Sequence, residues 1–201
     1  MCNLYRMTKA AGEVARLFGV GFPQQANTAQ EVYPGYPGMV IADGQLQQMH
    51  WGFPLALHGK HGQLLKPRPV NNARSDKLSG QFWRGSFEHR RCLIPMSAWA
   101  EAEGPKGGKT RTWLSLADGE MCTAAGLWRP SDEWGDVYSM VIVDAGPGVA
   151  GVHTRMPALI RPVDRAAFLG GTAREAFDLC RPYDGELLID RTAQPWAGRA
   201  V

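Results

Sequence analysis

A cysteine at position two offers chemistry that no internal residue can perform. A small residue after the initiator usually lets an aminopeptidase remove Met1, which would leave Cys2 as the terminus, with a primary amine and a thiol on one carbon framework. Such a pair takes an aldehyde into an imine and then, by thiol addition, into a five-membered thiazolidine ring. α-Amino groups titrate near ~7.7–8.0 and thiols near ~8.5, so reactive forms of both exist at neutral pH. Three further segments carry polar groups suited to that reaction: Val70-Asn71-Asn72-Ala73-Arg74, Arg91-Cys92-Leu93-Ile94-Pro95 running on to Glu101, and Gly151-Val152-His153-Thr154-Arg155-Met156-Pro157. Imine formation needs a neutral amine and the loss of water from a carbinolamine, and a carboxylic acid or imidazole beside the amine can move both protons. Glu101 ends an apolar run and would serve near neutral pH if burial raised its pKa. His153 titrates in the right range without help. Asn72 holds a donor and an acceptor in one neutral amide, able to fix a hydroxyl without competing for protons. Arg74 and Arg155 present paired donors of the kind that clamp phosphate.

Taken singly, each residue has an ordinary reading. Cys2 can be a buried thiol, the usual fate of free cysteine. Glu101 can be a solvated strand end, His153 a hydrogen-bonded turn residue, and Asn72 the start of an Asx turn. Arg74 and Arg155 can be surface cations, and Trp51 a core or hairpin residue. His50, His58, His61 and His89 show no partner spacing. Cys92, Cys122 and Cys180 sit in apolar runs and read as inert core thiols.

The elements that must position these groups follow from periodicity and turn chemistry. Residues 9–18 pattern as a helix capped by Thr8 and ended by Gly19. Residues 33–38, Tyr-Pro-Gly repeated twice, are rich in proline and glycine and read as turn and extended chain. Residues 39–42 and 45–53 form a hairpin around Asp43-Gly44. Residues 58–69 read as a polar, basic loop, and 75–87 as a helix. Four strands follow over 92–101, 110–116, 121–127 and 137–143, then two short helices over 163–169 and 173–180. Strands in the middle and helices at both ends indicate an α+β fold with a mostly antiparallel sheet.

At 201 residues the chain is expected to form a single domain over 1–201, able to bury a core without disulfides or structural metal. Four cysteines without a C-x-x-C pair or nearby zinc-spaced histidines argue against a metal site. No secretory segment and no long apolar run is visible, so the expectation is a cytoplasmic protein with reduced thiols. A formal charge of +3 permits nucleic-acid binding through a local patch without demanding it.

Met-Cys at the start, Asn-Ala-Arg at 72–74, Arg-Cys-Leu-Ile-Pro followed by Glu101, and His-x-Arg-Met-Pro at 153–157 occur in the order that marks the SRAP (SOS-response-associated peptidase) family, which this chain resembles over most of its length. The resemblance implies a twisted antiparallel sheet with an open barrel-like core and flanking helices. It also implies a sensor of abasic sites in single-stranded DNA that acts as a monomer without metal or cofactor, because the abasic aldehyde supplies the electrophile. Cys2 would form the thiazolidine, Asn72 would hold the sugar and Cys2, Glu101 would assist proton transfers, and His153 would lie near the sugar and the 3′ phosphate. Arg74 and Arg155 would contact the DNA backbone. An imine at C1′ acidifies the C2′ protons, so an AP lyase side reaction is implied too.

Departures from the resembled pattern are concentrated around the nucleophile. Many members begin Met-Cys-Gly-Arg, whereas Asn3 and Leu4 stand here. Glu31 replaces a neutral polar residue, and the tryptophan expected after Glu101 is Ala102. Trp51-Gly52 keeps the start of the central loop, which makes Trp51 a candidate DNA contact, while Leu55 or Leu57 stands where an aromatic wedge is expected. Lys60, Lys66 and Arg68 before Asn72, with Arg84, Arg90 and Arg91 after it, are expected to form one wall of a DNA groove ending at Cys2. Two other functions fit the same residues: an N-terminal-nucleophile thiol autopeptidase acting on its own leader, and a non-catalytic module that reads modified bases.

Overall fold

The computed structural model describes residues 2–22 and 29–196, and its strands divide among three sheets of five, seven and two strands. β1 (Tyr5–Arg6) is followed by α1 (Ala11–Phe18), which ends where Gly19 turns left-handed at φ 62. Thr8 does not cap this helix; its N–H and hydroxyl bond Ser97 Oγ instead, at 3.0 and 2.9 Å. After β2 (Glu31–Val32), β3 (Pro37–Ala42) and β4 (Gln45–Trp51) form the expected hairpin. Asp43 and Gly44 both take positive φ there, 50° and 73°, which matches the twist of the strands they join.

The expected loop after β4 is instead a ribbon. β5 (Phe53–His58) and β6 (Leu64–Val70) pair antiparallel as a separate two-stranded sheet. Gly52 makes the departure from β4 possible: its φ is 129°, and a Cβ there would stand 2.4 Å from Pro69 Cβ. β7 (Asn72–Arg74) follows, then a 3-10 turn (Ser75–Lys77) and α2 (Arg84–His89), so the helix expected over 75–87 is two short pieces.

β8 (Arg91–Met96) and β9 (Ala98–Glu103) replace the single strand expected over 92–101. The chain breaks at Ser97 because it changes sheets, β8 belonging to the seven-stranded sheet and β9 to the five-stranded one. β10 (Thr110–Leu116), β11 (Cys122–Arg129) and β12 (Val137–Asp144) occupy the remaining predicted strands. β13 (Arg155–Pro157), α3 (Arg165–Gly170), α4 (Ala173–Leu179) and β14 (Leu187–Pro195) complete the described chain. Thr172 and Glu175 close a reciprocal capping box on α4.

The five-stranded sheet runs β14-β10-β9-β1-β2, all antiparallel. The larger sheet runs β11-β8-β3-β4-β12-β13, with β7 and β11 also on β12; β4 and β7 pair with β12 in parallel and β11 pairs with it antiparallel. The α+β class, the mostly antiparallel sheet and the flanking helices thus match expectation. The open barrel-like core does not: the strands are partitioned among three separate sheets, and the core fills the space between the two larger ones. Trp99 and Tyr5 from the small sheet and Trp51, Met140 and Ile94 from the large one enter a common cluster.

Pleat alternation explains how one strand serves two sides. Trp99 faces the main core, whereas Ala98 and Ala100 join Leu4 and Trp113 in a smaller cluster on the other face. Tyr5 and Tyr138 meet across the main core with their hydroxyls 2.5 Å apart. Gly38 leaves room for them, since a Cβ there would stand 2.1 Å from one hydroxyl and 2.2 Å from the other.

Candidate active site

The two large sheets each deliver half of the site. From the small sheet, β1 pairs Tyr5 with Trp99 of β9, and Ala100 N–H donates to Leu4 O at 2.9 Å, which aligns the amino-terminal segment with the end of β9 and therefore with Glu101. From the large sheet, β12 acts as a common rail. β7 lies parallel to it, Asn72 opposite Met140, and β13 docks antiparallel at its end, Arg155 opposite Asp144. The turn before β13 is pinned by the buried Val149, whose carbonyl accepts His153 N–H at 3.0 Å.

These strands bring together the four residues singled out by type. Cys2 is 1% exposed, and its thiol donates to Leu4 O at 3.6 Å. Asn72 Nδ2 donates to Cys2 O at 2.7 Å, while Asn72 Oδ1 is buried with no hydrogen-bond partner among the described residues. Glu101 is 2% exposed, and its Oε2 lies 3.9 Å from His153 Nε2. Met1 lies outside the described residues.

Electrostatics separate the roles of these groups. Burial pushes the Glu101 carboxyl up to about 7, with the positive charge of the amino terminus pulling it back. The Cys2 thiol is held well above its ordinary value, first by burial and next by the Glu101 charge. His153 is lowered, first by burial and next by the amino-terminal charge. The imidazole is also oriented by the Arg155 backbone: Nδ1 lies 3.0 Å from Arg155 N and 3.2 Å from Arg155 O, and Nε2 faces Glu101. At neutral pH the arrangement offers a carboxyl near half ionisation, an imidazole held toward its neutral form, and a buried amide acceptor.

Other expected residues lie differently. Arg155 is half-buried beside Asp144 at 3.9 Å. Arg74 is exposed, but its guanidinium forms a two-point ion pair with Asp76 at 2.8 and 2.9 Å. Arg84 opens α2 on the surface, and no hydrogen bond or ion pair joins it to the site among the described residues. Trp51 is fully buried: its ring stacks on Tyr138 at 6.4 Å, meets Tyr5 edge-on at 5.1 Å, and its Nε1 donates to Asn71 O at 3.0 Å. It supports the asparagine segment from beneath and presents no face to a base. Lys60, Lys66 and Arg68 are exposed on the β5–β6 ribbon. Arg91 leaves the proposed wall altogether, being buried with its guanidinium donating to the carbonyls of Phe87, Glu88, Phe168, Leu169 and Gly171.

Sequence reasoning missed Asn71, whose Nδ2 donates to Cys2 O and to Asn3 Oδ1, both at 3.0 Å. The doubled asparagine was its only signal. Among the described residues no group of three or more His, Cys, Asp or Glu could hold a metal ion, and no helix is long and apolar enough to cross a membrane.

Comparison with known proteins converges on one family. The family profile described as SOS response associated peptidase (SRAP) matches residues 1–194. A curated relative, the abasic site processing protein YMR114C of Saccharomyces cerevisiae, is 29% identical over 120 residues, which cover 58% of this chain and 32% of the yeast protein. The match therefore spans about a third of that protein's length. A solved Bordetella bronchiseptica protein superposes with a TM-score of 0.80 at 21% identity, covering 95% of this chain and 99% of its own. A Bacteroides thetaiotaomicron protein gives 0.76 at 17% identity over 94% and 91% of the two chains. A phage-related protein, also from Bordetella bronchiseptica, gives 0.68 at 18% identity over 96% and 95%. At these identities the three solved structures speak for the fold alone.

Proposed function

This chain belongs to the SOS response associated peptidase (SRAP) family, and we propose that it captures abasic sites in single-stranded DNA as a covalent thiazolidine on Cys2. The observation that supports this reading most directly is the convergence of Cys2, the unpartnered acceptor of Asn72, and a carboxyl raised to about 7 beside an imidazole. That set matches what an amine–aldehyde condensation needs.

The reaction runs in three balanced steps once Met1 is gone. The neutral Cys2 amine adds to the C1′ aldehyde of the open abasic sugar, giving a carbinolamine. The protonated Glu101 carboxyl then gives its proton to the departing hydroxyl, water leaves, and an iminium remains. The thiol adds to C1′, its proton passes to the Glu101 carboxylate, and the C=N electron pair returns to nitrogen, closing the ring. One water is released overall, and Glu101 ends in its starting state. Because the thiol is held protonated by burial, the amine reacts first and the thiol second. Asn72 Oδ1 accepts a sugar hydroxyl in this scheme. If base removes a C2′ proton before the ring closes, the 3′ phosphate is expelled instead, which is the lyase branch; with Nδ1–H donating to Arg155 O, the lone pair of His153 Nε2 serves as that base.

The test is a denaturing gel with the mature protein and an oligonucleotide bearing one abasic site. A shifted band that disappears in Cys2→Ala is the expected result. Cleavage of the protein's own leader or of peptides, without a DNA adduct, would favour the autopeptidase. Reversible binding that survives Cys2→Ala would favour a non-catalytic module.

A further inference from the structure

Asn71 is tied to the nucleophile more completely than any residue assigned so far. Its amide nitrogen has two hydrogens, and both are used on the amino-terminal segment: one on Cys2 O and one on Asn3 Oδ1. Its own backbone is rigid. The Asn71 carbonyl accepts Trp51 Nε1 at 3.0 Å and Met140 N–H at 2.9 Å, which fills both lone pairs from two fully buried partners. With Asn72 Nδ2 at 2.7 Å, the Cys2 carbonyl receives two amide donors.

We propose that Asn71 is a positioning residue for Cys2, working through a clamp in which Asn3 is its second handle; this rests on the capture reaction proposed above. The Cys2 amine and thiol branch from the carbon next to the clamped carbonyl, so fixing that oxygen fixes the direction in which both groups point. The clamp also divides labour between neighbours. Asn71 spends both side-chain amide hydrogens on the amino-terminal segment, while Asn72 spends one and keeps its acceptor for the reacting partner. Asn3 stands where many members carry glycine, which has no side chain to be held. The substitution therefore adds a tether at the residue following the nucleophile, facing an asparagine able to use it.

Ring closure is sensitive to such positioning, because displacement by about 1 Å costs on the order of 100-fold in a reaction that depends on alignment. The experiment uses the mature full-length protein and Asn71→Leu, a near-isostere without donors. Noncovalent affinity is read with an oligonucleotide carrying a tetrahydrofuran abasic analogue, and the first-order adduct rate with a true abasic site at saturating DNA. Thiazolidine formation with propionaldehyde, followed by intact mass, supplies a readout free of DNA. The expected result is a drop of about 10–100-fold in both adduct rates, with tetrahydrofuran affinity within about twofold of the parent. The double variant Asn71→Leu/Asn3→Gly should then react no more slowly than Asn71→Leu, since the two residues act through one bond. Unchanged rates with both aldehydes overturn the clamp, as does a loss confined to DNA affinity. If Asn71→Leu melts early, Asn71→Ser, too short to reach Cys2 O, is measured at a temperature where it is folded, with the same two outcomes. A parent protein that takes up propionaldehyde but never crosslinks abasic DNA would remove the DNA reading while leaving the clamp to be judged on the free aldehyde.

Discussion

Replacing Glu101 by glutamine removes a titration that the fold opposes, and the consequence for stability can be worked out in sign and size. The carboxyl titrates near its ordinary 4.5 in the unfolded chain and at about 7 in the folded protein, mainly because burial penalises its charge. Between those values the folded state holds a proton that the unfolded state has released. Stability therefore falls as pH rises through this window, being free of the penalty below about 4.5 and bearing all of it above about 7. The gap corresponds to about 3 kcal/mol. The amide of Glu101→Gln has nothing to titrate, so the difference in unfolding free energy, variant minus parent, should grow by about 3 kcal/mol between about pH 4.5 and pH 8. For a protein of this size that is about 6–12 °C in the difference of melting temperatures. Melting both proteins by circular dichroism at intervals across about pH 4.5–8.5 measures it, with the other titrating groups cancelling in the difference. A difference flat to within about 1 kcal/mol, or one that shrinks as pH rises, would refute the assignment of a buried, proton-retaining carboxyl. The same variant should bind single-stranded DNA normally and form the adduct more slowly, because it can neither protonate the departing hydroxyl nor accept the thiol proton.

Trp51→Phe should lower stability by about 1–3 kcal/mol, through the lost bond to Asn71 O and a small cavity, and leave single-stranded DNA affinity unchanged; a tenfold loss of affinity at constant melting temperature would make Trp51 a base contact after all. Arg91→Met should cost at least about 3 kcal/mol in a urea titration, because five carbonyls lose a buried cation, and a cost under about 1 kcal/mol would contradict that role. Changing Lys60, Lys66 and Arg68 together to Ala should reduce the log–log salt slope of single-strand binding by about 2. A slope equal to the parent's would place the DNA track somewhere other than the β5–β6 ribbon.

What the sequence made legible was whatever depended on local pattern or on residue type. The Asp43-Gly44 hairpin was readable because positive φ at two successive residues restricts the choice of side chain. Strands β10, β11 and β12 were readable from apolar runs bounded by turns. Glu101 and His153 could be named because few residue types move protons near neutral pH. The features that escaped depend on partners distant in the chain. Residues 92–101 look like one strand until Ser97 is seen to carry the chain from one sheet to another. The β5–β6 ribbon hides in a stretch whose prolines and lysines suggest a loop, because only its base at Phe53 and Pro54 is buried and the rest, exposed or half-buried, needs little apolar alternation. Arg91 resembles its exposed neighbours, and only the carbonyls of α2, α3 and the turn after α3 reveal a structural cation. Asn71 escaped for the same reason: its partners, Cys2 and Asn3, lie far from it in the sequence.

The nucleophile proposed here lies beside the amino terminus, and terminal segments fray unless something ties them down. Ordering residues 2–5 costs about 1–2 kcal/mol each in backbone entropy, roughly 4–8 kcal/mol in all. Leu4 and Tyr5 are each 1% exposed and face opposite sides of the sheet, Leu4 toward Ala98, Ala100 and Trp113, Tyr5 toward the main core. Two such burials return roughly 3–6 kcal/mol. Hydrogen bonds from Ala100 N–H to Leu4 O, from both asparagines to Cys2 O, and between the two tyrosine hydroxyls add about 1 kcal/mol each. The sum roughly balances or exceeds the entropy, so the contacts of residues 2–5 themselves suffice to hold the segment. The departure at position 4 then has a reason, because a leucine anchors where an arginine would leave apolar neighbours uncovered. Arg6, two residues on and on the same side of β1, lies 4.4 Å over the Trp113 ring. That face keeps a guanidinium while gaining the anchor that fixes Cys2.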